Sequence, residues 1–273
     1  MRQEDSSARK MKNVNVRKSS MKYGPNIVTD SLIFNFDAGN VKCTDADDAV
    51  GTMRDIATVA HSSRTDRGIT GSGNTPNMSF PTDEGASKVI DLSISASNQA
   101  GDSDDYGNRL ALDDDIVFAD EDAWSCEFWA KPASGAQHTY LSLAGRGATN
   151  NWIIWQHGSS TWYPRYRESG SGSPYRRDSA NTNVSNPDDW HQVVFTVDTS
   201  RNISFYVDGA LLGGSVALTS SYLKVNRLMA GYSSSTNRFG FQGVMLCARI
   251  YAKTLSAAEV LQNFNATRGR VGI

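Results

Sequence analysis

The sequence predicts an all-β protein built as two antiparallel sheets packed face to face, and three observations carry that expectation. Between Asp188 and Leu212 apolar side chains step by two, reverse, and step by two again: Val193, Phe195 and Val197 share one face, then Ile203, Phe205 and Val207 share one. Only six of the 29 acidic residues are glutamate, and Ser, Thr, Asn and Gly are abundant, a balance that favours turns over helices. From Arg109 onward short apolar runs recur with Gly and Asp between them, the rhythm of a sandwich or barrel rather than an α/β unit. At 273 residues the chain can bury a substantial core as one such domain.

Residues 1–30 read as an extended basic arm. Up to Lys22 they carry seven Lys and Arg against Glu4 and Asp5, with almost no large apolar side chains to offset the entropy of ordering. Arg9, Lys10, Lys12, Arg17 and Lys18 are its candidate docking residues toward an acidic neighbour in an assembly; the plainer alternative is a solvated tail.

The folded domain, 31–273, opens with a strand at Ser31 to Asp37, with Leu32, Phe34 and Phe36 on one face and Ile33 on the other. A loop-rich insertion follows at about 41–108, strand-like only at Met78 to Phe80 and Lys88 to Ile94. Further strands are expected at Leu110 to Leu112, Trp124 to Lys131, Tyr140 to Leu143, Trp152 to Gln156, in the meander, and at Leu228 to Gly231 and Phe241 to Tyr251. In Trp124 to Lys131, Trp124, Cys126, Phe128 and Ala130 face one way and Glu127, Trp129 and Lys131 the other, and Pro132 ends the ladder. Trp190 anchors the meander, which reverses at Thr199-Ser200-Arg201 and at Asp208-Gly209. One short carboxy-terminal helix is signalled by Ser256 as N-cap with Glu259 three residues on, and by Leu255 and Val260 as a staple. Leu261 and Phe264 continue its stripe, and it is expected to end by about Thr267-Arg268-Gly269, where Gly can terminate it.

A formal net charge of −2 removes bulk electrostatic capture of nucleic acid or membrane, and neither is an expected partner. Cys43, Cys126 and Cys247 are far apart and odd in number, which reads as buried thiols rather than a disulfide framework or metal site. No apolar run approaches the ~20 residues of a membrane span, and the basic amino terminus lacks the apolar stretch of a secretory signal.

Taken in order, SLIFNFDAGN at 31–40, DSDDY at 102–106, WSCEFWAKP at 124–132, NWIIWQHG at 151–158, DDWHQVVFTVDTSRNISFYVDG at 188–209 and FQGVMLCARIYAKTLSAAEVLQNFNATRGRVG at 241–272 resemble the concanavalin A-like, laminin-G-like lectin jelly roll. The version that opens on Asp-Ala-Gly-Asn and closes on RIY…LS…EVLQNFNATRGR is similar to modules of tailed-bacteriophage structural proteins. The resemblance implies a two-sheet jelly-roll sandwich and a non-enzymatic virion component, a head decoration or a tail or baseplate accessory. It implies synthesis in the bacterial cytoplasm, several copies or a homo-oligomer, and docking to other virion proteins.

Three function classes follow. As a docking and display protein the chain needs no cofactor. As a carbohydrate-binding adhesin it would use Trp162, Tyr163, Arg165, Tyr166, Arg167, Tyr175, Arg176 and Arg177, where aromatics offer stacking area and Arg directed hydrogen bonds; equally, Trp162 and Tyr166 could cap the core. As a glycoside hydrolase it would need paired carboxylates on one strand face, and none is spaced so: 118–122 reads as a turn and Glu127 as a surface charge beside Lys131. No catalytic or metal-binding residue is assigned, although the Asp-rich stretches 102–105 and 113–115 could offer oxygen to Ca²⁺.

Overall fold

The computed structural model describes residues 26–40, 43, 53–57, 68–72, 88–91, 109–133, 140–142, 152–158, 161–168, 175–178, 184, 186, 188–228, 232–233, 238–239 and 243–273. In chain order its strands are β1 (Leu32–Asp37), β2 (Met53–Arg54), β3 (Gly68–Ser72), β4 (Ile90–Asp91), β5 (Arg109–Phe118), β6 (Trp124–Pro132), β7 (Tyr140–Ser142), β8 (Trp152–Gly158) and β9 (Thr161–Glu168). Then come β10 (Tyr175–Asp178), β11 (His191–Val197), β12 (Asn202–Val207), β13 (Ala210–Leu211), β14 (Val216–Ala217), β15 (Leu223–Leu228), β16 (Tyr232–Ser233), β17 (Arg238–Phe239) and β18 (Gly243–Tyr251). A single longer helix, α1 (Ala257–Thr267), runs into a 3-10 turn at Arg268–Arg270.

One layer is an antiparallel sheet ordered β1-β18-β6-β11-β12-β13, with β4 added on β18 and β14 on β12. Two four-stranded sheets, β15-β5-β3-β2 and β10-β9-β8-β7, and a two-stranded one, β16-β17, hold the other strands, and β15 approaches β7. The meander takes its expected register: Val193 opposes Val207, Phe195 opposes Phe205 and Val197 opposes Ile203, all inside the main core. Asp208 and Gly209 make the second reversal at φ 52° and 80°, the left-handed conformation a two-residue hairpin requires. At the first reversal Arg201 has φ 63° while Asp198 accepts hydrogen bonds from the amides of Ser200 and Asn202.

The main core joins Phe34, Phe36, Cys126, Phe128, Phe195, Phe205 and Ile250 of the large sheet to Leu112, Ile116 and Phe118 of β5, Leu223 and Val225 of β15, and Tyr166 of β9. Its aromatic rings pack as pairs, Phe195 edge-on to Phe205 at 5.5 Å and Phe118 stacked on Trp124 at 5.9 Å, arrangements each worth ~0.5–1.5 kcal/mol beyond the area they bury.

The large sheet is covered on its outer side as well. The capping box forms as the sequence predicts, Ser256 accepting from the Glu259 amide and the Glu259 carboxylate accepting from the Ser256 amide, and Leu255 and Val260 meet in one buried cluster with Val28, Leu32, Val194, Tyr206 and Tyr251. The stripe differs from expectation at Leu261, which is exposed; Val260, Asn263 and Thr267 turn inward. The helix ends at Thr267, within the expected stretch Thr267-Arg268-Gly269, and a 3-10 turn over Arg268–Arg270 follows; the glycine there in the left-handed region is Gly272, φ 78°, rather than Gly269.

Three other expectations are corrected. Leu32 does not share a face with Phe34, because a register shift between them sends Leu32 to the outer cluster and Ile33 to the main core. Within the insertion β3, which pairs with β5, is not among the expected strands, whereas β4, which pairs with β18, falls in the strand-like piece expected at 88–94; positions 78–80 and 92–94 lie outside the described residues. The strand expected at 228–231 begins earlier, over 223–228, where buried Leu223 and Val225 alternate with half-buried Lys224; positions 229–231 lie outside the described residues. No helix among the described residues is long and apolar enough to cross a membrane.

Candidate functional site

All eight proposed contact residues lie on two paired strands. Trp162, Tyr163, Arg165, Tyr166 and Arg167 are in β9, and Tyr175, Arg176 and Arg177 in β10, in a register that sets Arg176 opposite Arg167 and Arg177 opposite Tyr166. On the other side of β9, Trp152 stands opposite Arg167, Ile153 opposite Tyr166 and Gln156 opposite Tyr163, while Tyr140 of β7 stands opposite Gln156. Of these side chains only that of Tyr166 is among those described.

Tyr166 is not a contact residue. Its ring is fully buried 6.3 Å from Trp124, and its hydroxyl lies 3.1 Å from the Ser220 carbonyl and 3.3 Å from that of Tyr222. The reason is the pleat. By register, position 166 shares its face of the sheet with 162, 164 and 168 and with 177 opposite, and positions 163, 165, 167, 176, 152, 156 and 140 share the other face. The outward register positions therefore form rows: Arg176–Arg167–Trp152, and Tyr163–Gln156–Tyr140. Trp152 and Tyr140 had been read only as strand formers; what makes them part of a face is cross-strand register, which no local pattern contains.

A second constellation lies on the outer side of the large sheet, and it overturns the surface reading of Glu127. That residue is fully buried. Its Oε1 accepts from Arg249 Nη1 at 2.9 Å, Gln192 Nε2 at 2.9 Å and Trp129 Nε1 at 3.2 Å, and its Oε2 accepts from Asn263 Nδ2 at 2.7 Å. Arg249 stands directly opposite Glu127 across β18 and β6. Asn263 ties the cluster to the helix and, through its Oδ1, to the Val28 amide at 2.7 Å. Stacking of Phe264 on Trp129 at 5.6 Å closes the cover. With both carboxylate oxygens engaged and the side chain fully buried, Glu127 anchors the helix; it has no face open to substrate.

His191 sits beside this network. Its Nδ1 is 2.8 Å from Asp208 Oδ2 and its Nε2 is 3.0 Å from the Asn186 carbonyl, so both ring nitrogens meet acceptors and the doubly protonated imidazole suits the site. Burial opposes that charge, yet the hydrogen bond and charge of Asp208 prevail and hold the His191 pKa above its ordinary value.

The acidic stretches divide. In 118–122 the predicted turn forms, with Glu121 at φ 74° and Asp120 accepting from Ser220 Oγ and the amides of Ser221 and Tyr222. Asp113 to Asp115 lie within β5, beside a register shift against β15, rather than in a loop. Residues 102–105 lie outside the described residues, as do Arg9, Lys10, Lys12, Arg17 and Lys18 of the arm. Among the described residues no group of His, Cys, Asp or Glu is arranged to hold a metal ion. Cys43, Cys126 and Cys247 are buried thiols, and burial pushes the Cys247 thiol up to about 12.

The opening and closing motifs meet. Arg270 makes two hydrogen bonds of 2.7 Å to the Asp37 carboxylate, and Asp37 Oδ1 also accepts from the Gly39 amide. Asp-Ala-Gly-Asn and the terminal Arg-Gly-Arg are thus two halves of one clamp.

Comparison with known proteins places this architecture. A family model described as the concanavalin A-like lectin/glucanases superfamily matches residues 104–261. Among solved structures, domain 4 of a GH43 extracellular arabinanase from Geobacillus stearothermophilus, in complex with arabinotriose, aligns with a TM-score of 0.54 at 16% identity, over 86% of this chain and 98% of that one. Botulinum neurotoxin type C, whose cell entry depends on two ganglioside molecules, aligns at 0.56 with 11% identity over 88% of this chain, which spans 52% of it. The binding domain of botulinum neurotoxin DC in complex with rat synaptotagmin II aligns at 0.55 with 12% identity, over 88% and 52%. At such identities the likeness is one of fold. No curated protein matches the chain in sequence.

Proposed function

The chain belongs to the concanavalin A-like lectin/glucanases superfamily, and from that premise we propose that it is a non-enzymatic, lectin-like binding module that takes polysaccharide on the β7–β10 sheet and is displayed on the virion of a tailed phage. The observation that carries the binding role is the register of that sheet, which brings Tyr163, Arg165, Arg167, Arg176, Trp152 and Tyr140 to one face from four strands. Aromatic planes stack on sugar rings, and Arg hydrogen-bonds hydroxyl and acidic groups in fixed directions. A structural neighbour of the same fold is itself a carbohydrate complex.

The non-enzymatic part is supported by Glu127, whose carboxylate is spent on Arg249, Gln192, Trp129 and Asn263. A glycosidase needs two carboxylates flanking a bond with one of them able to donate a proton. The virion setting rests on the resemblance of the opening and closing motifs, and on the basic arm as an attachment to neighbouring subunits in several copies. No cofactor is needed for either role.

A glycan array with the intact chain, repeated with Tyr163→Ala, tests the binding role. Binding that falls at least tenfold in the variant is expected. A protein that binds no glycan, or that releases reducing sugar from what it binds, contradicts the proposal. Deleting residues 1–22 is expected to abolish incorporation into particles; unchanged incorporation removes the arm from attachment.

A further inference from the structure

The row Arg176–Arg167–Trp152 has a charge peculiarity that the rest of the β7–β10 sheet lacks. Cross-strand partners bring Cβ atoms within ~4.5–5.5 Å, and like charges set directly opposite destabilise a sheet. Arg165 stands opposite Asp178, a partner of opposite sign, but Arg167 stands opposite Arg176. On its other side Arg167 faces the aromatic position Trp152. With strands ~4.8 Å apart the row spans ~10 Å, enough for a sugar ring at Trp152 and a negative group between the two arginines. The whole chain has a net charge of only −2, so this is a local arrangement and not a general basic surface.

We propose that this face selects acidic polysaccharide, with Arg167 and Arg176 gripping a carboxylate or sulfate of the repeat while its ring, or the next one, stacks at Trp152. The inference rests on the reading of the β7–β10 sheet as the glycan site. A planar guanidinium matches a carboxylate or sulfate with paired, charge-assisted hydrogen bonds, and the bound anion cancels the repulsion between the facing arginines. Selectivity then comes from charge at one row and affinity from stacking beside it. A single-stranded nucleic acid also offers anions and flat rings, but tracks a continuous basic groove, whereas here Asp178 interrupts the basic positions.

Binding of the full chain to matched pairs decides the matter: dextran sulfate against dextran, and polygalacturonate against its methyl ester, with oligothymidylate as a further arm. The acidic member of each pair is expected to bind at least tenfold more tightly, with the difference shrinking as salt rises. Arg167→Gln and Arg176→Gln should each remove most of that preference without lowering the unfolding midpoint, since each relieves the repulsion of the facing charges, and Arg167→Lys should restore part of it. Equal binding of neutral and acidic members overturns the inference and leaves the glycan site standing. Binding of no glycan at all removes both. Tighter binding of oligothymidylate than of any glycan overturns the inference in favour of nucleic acid, and an acidic preference that persists in both Gln variants overturns its placement on this row.

Discussion

Replacing Glu127 by Gln keeps the shape of the side chain and removes one negative charge from a site with four donors. In the native protein Arg249, Gln192 and Trp129 converge on Oε1 and Asn263 on Oε2. A Gln amide offers one acceptor and one donor group, so at least one of those four donors must then face another donor, and the Arg249 guanidinium, fully buried, loses its counter-charge. Breaking one half of a buried ion pair costs ~3–5 kcal/mol. For a domain of this size that is a fall in Tm of roughly 6–20 °C, at ~2–4 °C per kcal/mol. Arg249→Met alone should cost about as much, because it strands the carboxylate. The double variant Glu127→Gln/Arg249→Met, with no uncompensated ion, should lose much less than the two singles together, a coupling of ~2 kcal/mol or more. Urea unfolding followed by circular dichroism and by Trp fluorescence, with Trp129 inside the cluster, measures all three. A loss below ~1 kcal/mol in either single variant, or simple additivity in the double, would refute this account of the helix anchor.

Gly209→Ala places a methyl at φ 80°, 3.0 Å from Leu261 Cδ1 and 3.2 Å from Phe264 Cβ; a loss of ~1–3 kcal/mol in urea unfolding is expected from the backbone strain alone. His191 has its folded pKa raised above the unfolded value of ~6.5 by Asp208, so its contribution is complete below that value and is lost as pH rises through the folded pKa. Stability measured from pH 5.5 to 8.5 should therefore fall in the native chain relative to His191→Gln, and parallel profiles would contradict the pairing. Tyr166→Phe leaves two carbonyls without their hydroxyl donor and should cost ~1–2 kcal/mol while glycan binding is unchanged; loss of binding at full stability would return Tyr166 to the contact surface. Thiol reagent should find all three cysteines unreactive in the folded protein and all three reactive in denaturant, since each is buried.

What could be read from the residues was whatever repeats over a few positions. The meander, the Asp208-Gly209 hairpin and the Ser256–Glu259 capping box each declare themselves within a handful of neighbours, and each forms as predicted. Glu127 did not, because its partner Arg249 is 122 residues away and the alternation of β6 shows only that Glu127 and Trp129 share a face. That face nonetheless carries a hint: Trp129, Gln192 and Val194 on the outward parity are too large a set for an uncovered sheet, and the amphipathic helix at 257–267 needs an apolar surface to cover. Tyr166 was misassigned for the opposite reason. A run of Trp, Tyr and Arg looks uniform in composition, whereas the pleat divides it between the two faces of the sheet, one of which holds buried Tyr166. The clamp of Arg270 on Asp37 spans 233 residues and explains why the opening and closing motifs occur together.

Amide hydrogen exchange, recorded with and without a bound polysaccharide, puts the central claim to its most direct test. Slowed exchange confined to β8, β9 and β10, with α1 and β18 unaltered, is the predicted result. Protection that appears instead along α1 or β18, with residues 152–178 unchanged, would place the ligand on the other side of the sandwich and contradict the account.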